Sequence, residues 1–143
     1  MDKVVDKGVY RIIDANFNRV MEGMRVCEDI LRFSADDAKG TAKLKSLRHS
    51  VYSAIKKLRE DHLEELVSSR DVHMDIGKKS IVSEKKRKGL VDLFLANSQR
   101  GKESLRVLEE VLKLFDGRLS EQFKKFRFSL YSIEKTAVRD LHK

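Results

Sequence analysis

Residues 15–33 read ANFNRVMEGMRVCEDILRF, and residues 96–114 read ANSQRGKESLRVLEEVLKL. Laid side by side without a gap, Ala15/Ala96, Asn16/Asn97, Arg19/Arg100, Glu22/Glu103, Arg25/Arg106, Val26/Val107, Glu28/Glu109 and Leu31/Leu112 are identical. An apolar helical stripe accounts for repeated Val and Leu. It does not account for repeated Asn, Arg and Glu, which point to an internal duplication. A second pair of segments agrees: LRHSVYSAIKK (47–57) answers FRFSLYSIEKT (126–136), matching Arg48 to Arg127, Ser50 to Ser129, Tyr52 to Tyr131 and Ser53 to Ser132.

Each copy reads as two helices. Ile13, Phe17, Val20, Met24, Cys27 and Leu31 recur at threes and fours and predict a helix from about Val9 to Phe33. Ser34 followed by Asp37 has the form of a capping box opening a second helix, whose stripe is Leu44, Leu47, Val51, Ile55 and Leu58. Ser68–Ser80 (SSRDVHMDIGKKS) has no helical period and forms the one substantial loop. A third helix is expected from about Ser83 to Phe115 with Gly117 as its stop, and a fourth over Leu119–Leu141. The absence of proline suits long helices, whose interiors exclude it. The expected fold is all-α: one domain over 1–143, a four-helix bundle of two pseudo-twofold-related helix hairpins. Unit one covers about 9–67, the connecting loop 68–82, and unit two about 83–142.

No apolar run is long enough to span a membrane and Met1–Tyr10 has no signal-peptide pattern, so a soluble, unprocessed, cytoplasmic protein is expected. Cys27 is the only cysteine and reads as a small core residue. The Lys/Glu richness hints at a heat-adapted source. The formal charge is +8, but the lysines are scattered and no DNA- or RNA-reading motif accompanies them. A solvated basic surface is the first reading, affinity for small polyanions such as nucleotides the second, and nucleic acid the last.

The ladder Asn16, Arg19, Glu22, Arg25, Glu28 is spaced by three, and each step turns the helix by about 300°, so the ladder winds around it. With the stripe centred near Met24 and Leu31, Asn16 and Glu28 fall about 60° to either side, Arg19 about 120° away and Glu22 nearly opposite. One pocket on one face cannot hold all five. Glu22 and Arg25 read equally well as solvated i,i+3 ion pairs or, if their outward face is covered by the other repeat or a second subunit (a homodimer), as functional groups. Asn16 and Asn97 sit at the stripe's edge, where an unpaired amide costs roughly 1–3 kcal/mol, so a hydrogen-bonding or ligand role is expected, with Arg19 and Arg100 within reach. Arg48 with Tyr52, and Arg127 with Tyr131, are i,i+4 pairs: either bundle-edge stacking or a guanidinium and a phenol aimed at an anion. In the loop, Arg70, Asp71, Asp75 and Lys78 suit either a solvated turn or a Mg²⁺–phosphate site. There is no P-loop, since Gly77-Lys78 lacks the upstream glycine and the following Ser/Thr, and no His/Cys spacing for zinc.

Three segments together resemble the alternative hydroxymethylpyrimidine-phosphate kinase family, a helical domain often fused ahead of thiamine phosphate synthase and in some organisms standing alone. They are Asp14–Asp29 (DANFNRVMEGMRVCED), Arg70–Gly77 (RDVHMDIG) and Leu93–Glu110 (LFLANSQRGKESLRVLEE), within a likeness covering about residues 10–135. The resemblance implies ATP-dependent phosphorylation of 4-amino-5-hydroxymethyl-2-methylpyrimidine phosphate to its diphosphate, with Mg²⁺. The matching positions are Asn16, Arg19, Glu22, Arg25, Glu28, Arg70, Asp71, Asp75, Asn97, Arg100, Glu103, Arg106 and Glu109. In that scheme Arg19, Arg100, Asp71 and Glu22 are catalytic, and Asp71, Asp75 and Glu103 are the candidate Mg²⁺ ligands. Asn16, Asn97, Arg25, Arg106, Arg48, Tyr52, Arg127, Tyr131, Arg70 and Lys78 bind substrate and phosphate. A non-catalytic reading stands beside it: a helical accessory domain of thiamine phosphate synthase that binds pathway phosphates or a partner protein. The second copy has Lys102 and Ser104 where the first has Met21 and Gly23, which suits one site per chain if Gly23 permits a close approach.

Overall fold

The first helix, α1, spans Lys7–Asp29 and is capped by Asp6, whose carboxylate accepts the Gly8 N–H. The computed structural model describes residues 6–80 and 86–142. Beyond Asp29 the helix widens into one π-helical turn, Ile30–Ser34, which carries the chain through the position expected to cap the next helix. Asp36, with φ 51, then reverses the backbone, a conformation that a short polar side chain tolerates better than most. The cap of α2 (Ala38–Asp61) is consequently Asp37, not Ser34: its side chain accepts the Gly40 N–H at 2.9 Å. At His62 the backbone leaves helical geometry, and a short α3 (Leu63–Ser68) precedes the turns of residues 69–80.

The expected start of the third helix at Ser83 lies outside the described residues. Lys86–Gly89 are not helical, and α4 runs Leu90–Val111 before a 3₁₀ turn, Leu112–Leu114. Gly117 does not stop that helix. It is the first residue of α5 (Gly117–Leu141), because Asp116 in extended conformation caps the new helix by accepting the Arg118 N–H at 2.8 Å. A stop glycine would take a positive φ, and no described glycine has one.

The described residues form an all-α protein without strands. The predicted stripe residues Ile13, Phe17, Val20, Met24, Cys27 and Leu31 are all buried, and they meet Leu44, Leu47, Val51 and Ile55 of α2, Phe94, Leu105 and Leu108 of α4, and Phe123 and Leu130 of α5. Burying such side chains supplies roughly 1.5–3 kcal/mol each, which makes these faces the main source of helix stability. The long helices close a ring: α1 packs on α2 and α4, α4 on α5, and α5 on α2, with the α1–α4 contact the most extensive. α1 and α4 run antiparallel, since Gly23 faces Asn97 and Gly101 while the Cys27 Sγ–H donates to the Phe94 carbonyl at 3.4 Å. A Cβ on Gly23 would lie 2.8 Å from the Asn97 carbonyl oxygen, so the small residue serves a close approach of helix to helix.

Candidate functional site

The N-terminal half of α1 and the turn after α3 are distant in sequence, and an ion pair brings them together. Asp14, buried on α1, accepts the Arg70 Nε–H at 2.6 Å and an Nη2–H at 2.8 Å, a two-pronged bond. The same hydrogen bond raises the pKa of Arg70 above its ordinary value. Asn18 steadies the pair from one turn away, donating Nδ2–H to the Asp14 carbonyl at 2.9 Å and to its Oδ1 at 3.4 Å.

Between them lies a cleft of ≈ 490 Å³, within the range usual for small-molecule sites. Asn16, Arg19, Arg70, Asp71 and Asp75, five residues singled out from the sequence, line it together. Asn16 is buried and donates Nδ2–H to the Ile12 carbonyl at 2.8 Å, which fixes its amide at the cleft edge. Arg19 is exposed and has no hydrogen-bond or ion-pair partner among the described residues. Asp71 and Asp75 brace their own turns, accepting the Met74 N–H at 3.0 Å and the Gly77 N–H at 2.9 Å. Lys78 folds back within the loop, donating to the His73 carbonyl at 2.9 Å. The cleft is lined by cations and carboxylates of both signs, with Asp14 already committed to Arg70.

The other sequence candidates lie elsewhere. Glu22 is exposed on α1 outside the cleft. Arg48 faces an anion, and that anion is the chain's own Glu28, buried to 3% exposure, which accepts from Arg48 Nε at 3.0 Å and Nη2 at 3.4 Å. Arg25 approaches the same carboxylate at 4.0 Å and Asp29 at 3.6 Å. The second repeat repeats the bond: Glu109, 4% exposed, accepts from Arg127 Nη2 at 3.2 Å and also from Arg106. Tyr52 stacks near Phe17, with Arg59 over the Phe17 ring at 4.0 Å, and Tyr131 lies beneath the Lys102 ammonium at 4.4 Å. Asn97 copies Asn16, donating to the Leu93 carbonyl at 2.9 Å.

Arg100 and Glu103 are exposed on α4 and line none of the cleft. Glu103 accepts from Gln99 at 3.0 Å, and no group of three His, Cys, Asp or Glu side chains poised for a metal occurs among the described residues, so Glu103 does not join Asp71 and Asp75. The chain offers Mg²⁺ two carboxylates on one loop. That suits an ion which keeps waters and takes further oxygens from substrate phosphates.

Asp14 and Arg11, not among the residues expected from the sequence to form the site, also line the cleft. The signal for them was a break in the duplication. With the same offset that aligns Asn16 to Asn97, Asp14 meets Leu95 and Arg11 meets Asp92. The second copy thus lacks both the tether for a loop arginine and one of the cations. At the level of α5 it carries instead a buried network, in which Glu134 accepts from Ser98 and from Lys102 at 3.0 Å.

Fold and cleft define a helical-bundle protein with an arginine-lined cleft between α1 and the inter-repeat loop. The chain belongs to the ThiD2 family, whose model matches residues 11–136. It is similar to three thiamine-phosphate synthases: that of Thermosynechococcus vestitus (40% identical over 125 residues, 87% of this chain and 34% of that protein), that of Nostoc sp. (37% over 133 residues, 92% and 36%), and that of Gloeobacter violaceus (36% over 139 residues, 96% and 39%). The chain spans about a third of the length of these relatives. No solved structure matches it.

Proposed function

We propose that this chain serves thiamine biosynthesis by binding 4-amino-5-hydroxymethyl-2-methylpyrimidine phosphate in the α1–loop cleft. The observation that carries the reading is the meeting of Asn16, Arg19, Arg70, Asp71 and Asp75 in one cleft, although they come from two segments far apart in the chain. Arg19, without a partner among the described residues, supplies a guanidinium for a phosphate. Arg70 keeps N–H groups free after its two bonds to Asp14, because a guanidinium has five. The Asn16 amide, held by one N–H, retains its oxygen as an acceptor for the aminopyrimidine edge.

Two activities are compatible with that binding. The relatives' name favours the first: a helical accessory domain of thiamine phosphate synthase, which holds pathway phosphates or contacts a synthase. The second is an ATP-dependent kinase that forms the pyrimidine diphosphate, supported by the RDVHMDIG loop with Asp71 and Asp75 on the cleft wall. Phosphoryl transfer is chiefly positioning and charge neutralisation. Arg19 and Arg70 would orient the pyrimidine phosphate, and Asp71 and Asp75 would hold Mg²⁺. When bound, that ion neutralises charge on the transferring phosphoryl group.

One experiment separates them. The full chain is given the pyrimidine phosphate, ATP and Mg²⁺, ADP release is followed by a coupled assay, and binding of the pyrimidine phosphate alone is measured by calorimetry. ADP release matched by diphosphate formation assigns the kinase. Saturable binding without turnover assigns the phosphate-holding accessory role, and no binding removes both the kinase and that role.

A further inference from the structure

Aligned without a gap, the two repeats share eight identical positions, and contacts within the chain account for four of them. Leu31 and Leu112 are core residues, and Asn16 and Asn97 bond the carbonyl one turn back. Glu28 and Glu109 hold buried ion pairs, which Arg25 and Arg106 approach. The other four are Ala15, Arg19, Glu22 and Val26, repeated as Ala96, Arg100, Glu103 and Val107. Steps of four, three and four residues make each set one helical stripe. The stripes face away from the core: the two arginines, the two glutamates and Ala15 are exposed, and the rest are half-buried. Arg19, Glu22 and Arg100 have no hydrogen-bond or ion-pair partner among the described residues, and Glu103 accepts from its neighbour Gln99.

The antiparallel crossing of α1 and α4 sets the stripes side by side. Gly23 faces Asn97 and Gly101, and Cys27 meets Phe94, so each step forward along α1 is a step back along α4. That register puts Arg19 level with Glu103 and Glu22 level with Arg100, with Ala15 beside Val107 and Val26 beside Ala96 at the two ends. At about 100° per residue, Arg19, Val26 and Glu22 lie about 40°, 60° and 100° to the same side of Gly23. The pseudo-twofold that exchanges the helices keeps the matching flank of α4 on that side. The outward face of the pair therefore carries a square of charges, arginines on one diagonal and glutamates on the other.

Such a square is complementary to itself. Turned over about a dyad in its own plane, it lays each arginine on a glutamate and each alanine on a valine, the geometry of an isologous contact. Two copies of a chain with formal charge +8 repel one another overall, but this face has no net charge.

We propose that the outward α1–α4 face binds a second copy of this chain, so that the protein is a homodimer. Arg19 also lines the cleft between α1 and the loop, so the dimer brings a glutamate of the other copy to one end of that cleft. It is Glu103 of the partner subunit where α1 lies across the partner's α4, and Glu22 of the partner subunit where α1 lies across the partner's α1. A guanidinium has five N–H groups, so Arg19 can hold that carboxylate and still present donors to the cleft. The contact goes beyond the phosphate-binding reading and stands without it.

The test is sedimentation equilibrium of the full chain, whose monomer is 16.6 kDa. Wild type should sediment at twice that mass. Arg19→Glu/Arg100→Glu makes the face wholly negative, and Glu22→Arg/Glu103→Arg makes it wholly positive. Each should keep its helix content by circular dichroism yet be monomeric, like charges in contact weakening association by more than about a hundredfold. Mixed in equal amounts, the two should form a heterodimer of double mass. A second measurement serves if either variant fails to fold. Arg19→Lys treated with a carbodiimide should give an interchain amide from position 19 to Glu103 or Glu22, and peptide mass tells which helix lies opposite. A monomeric wild type, a dimer that survives in either charge variant, folded variants that do not recombine, or no interchain amide at position 19 overturns the inference.

Discussion

Arg70 reaches across 56 positions of sequence to grip Asp14 with both Nε and Nη2, at 2.6 and 2.8 Å. This bond sets the distance between the loop that carries Asp71 and Asp75 and the helix that carries Asn16 and Arg19. Asp14→Asn keeps the shape but removes the charge and one acceptor. Affinity for the pyrimidine phosphate should fall about tenfold, with a loss of about 1–2 kcal/mol in stability by urea denaturation. Arg70→Lys should behave similarly, because an ammonium cannot make the fork. Unchanged affinity in both variants would separate the loop from binding.

The buried glutamates make a prediction about stability alone. Arg48→Met leaves the Glu28 carboxylate nearly without compensation, Arg25 being 4.0 Å away, and should cost about 3 kcal/mol. The double variant Glu28→Met/Arg48→Met should recover most of it, since the charge that suffered is gone. Arg127→Met should cost less, because Glu109 also bonds Arg106. Equilibrium unfolding of the four proteins, wild type included, decides the order.

Two glycines predict opposite outcomes for one substitution. Alanine normally stabilises a helix interior by about 1 kcal/mol over glycine. At Gly23 the new methyl would sit 2.8 Å from the Asn97 carbonyl oxygen, a backbone atom that moves only with α4, so Gly23→Ala should destabilise by about 1–3 kcal/mol. At Gly101 the neighbour is the Leu130 Cδ2 at 3.1 Å, which a small rotamer shift can withdraw. Gly101→Ala should therefore be within about 1 kcal/mol of wild type. A thermal melt that ranks them the other way contradicts the α1–α4 contact as described.

Burial, reinforced by the nearby Glu134, pushes the Cys27 thiol from its ordinary value of 9.0 up to about 12. The native chain should thus react with iodoacetamide far more slowly than the unfolded chain at pH 8.5. The linkage has a definite sign. Above pH 9 the unfolded thiol ionises while the folded one stays protonated, so stability falls as pH rises from 9 toward 12. Cys27→Ala should flatten that part of the pH–stability curve. An unaltered slope would assign the decline to other groups.

Much of the fold was legible because helical periodicity and duplication are both local signals. Every residue named in the α1 stripe is buried. The errors fell at helix ends. Ser34 looked like a cap, but a π turn carried the helix through it, and Gly117 looked like a stop because composition alone does not reveal that Asp116 opens a new helix. For the cleft, the RDVHMDIG loop and the Asn16–Arg19 pair were visible separately. Their meeting was not, since it depends on a bond between Asp14 and Arg70 that no periodicity encodes. Glu22, which the resemblance placed among the catalytic residues, is exposed outside the cleft, on the outward side to which the winding of the ladder carries it.

The close crossing of α1 and α4 bears on how the molecule could be divided. The most extensive helix contact joins the two repeats, so each hairpin lacks the surface that completes it. A chain severed within residues 71–80, an exposed stretch of turns, should yield two fragments that are poorly folded apart and reassociate when mixed. A cut after Asp75 would leave every residue that lines the cleft on the amino-terminal fragment. The amino-terminal fragment would retain Asp14 and Arg70 together, and only mixtures regaining the native helix content would show whether α4 is also needed to hold α1 in a ligand-ready shape.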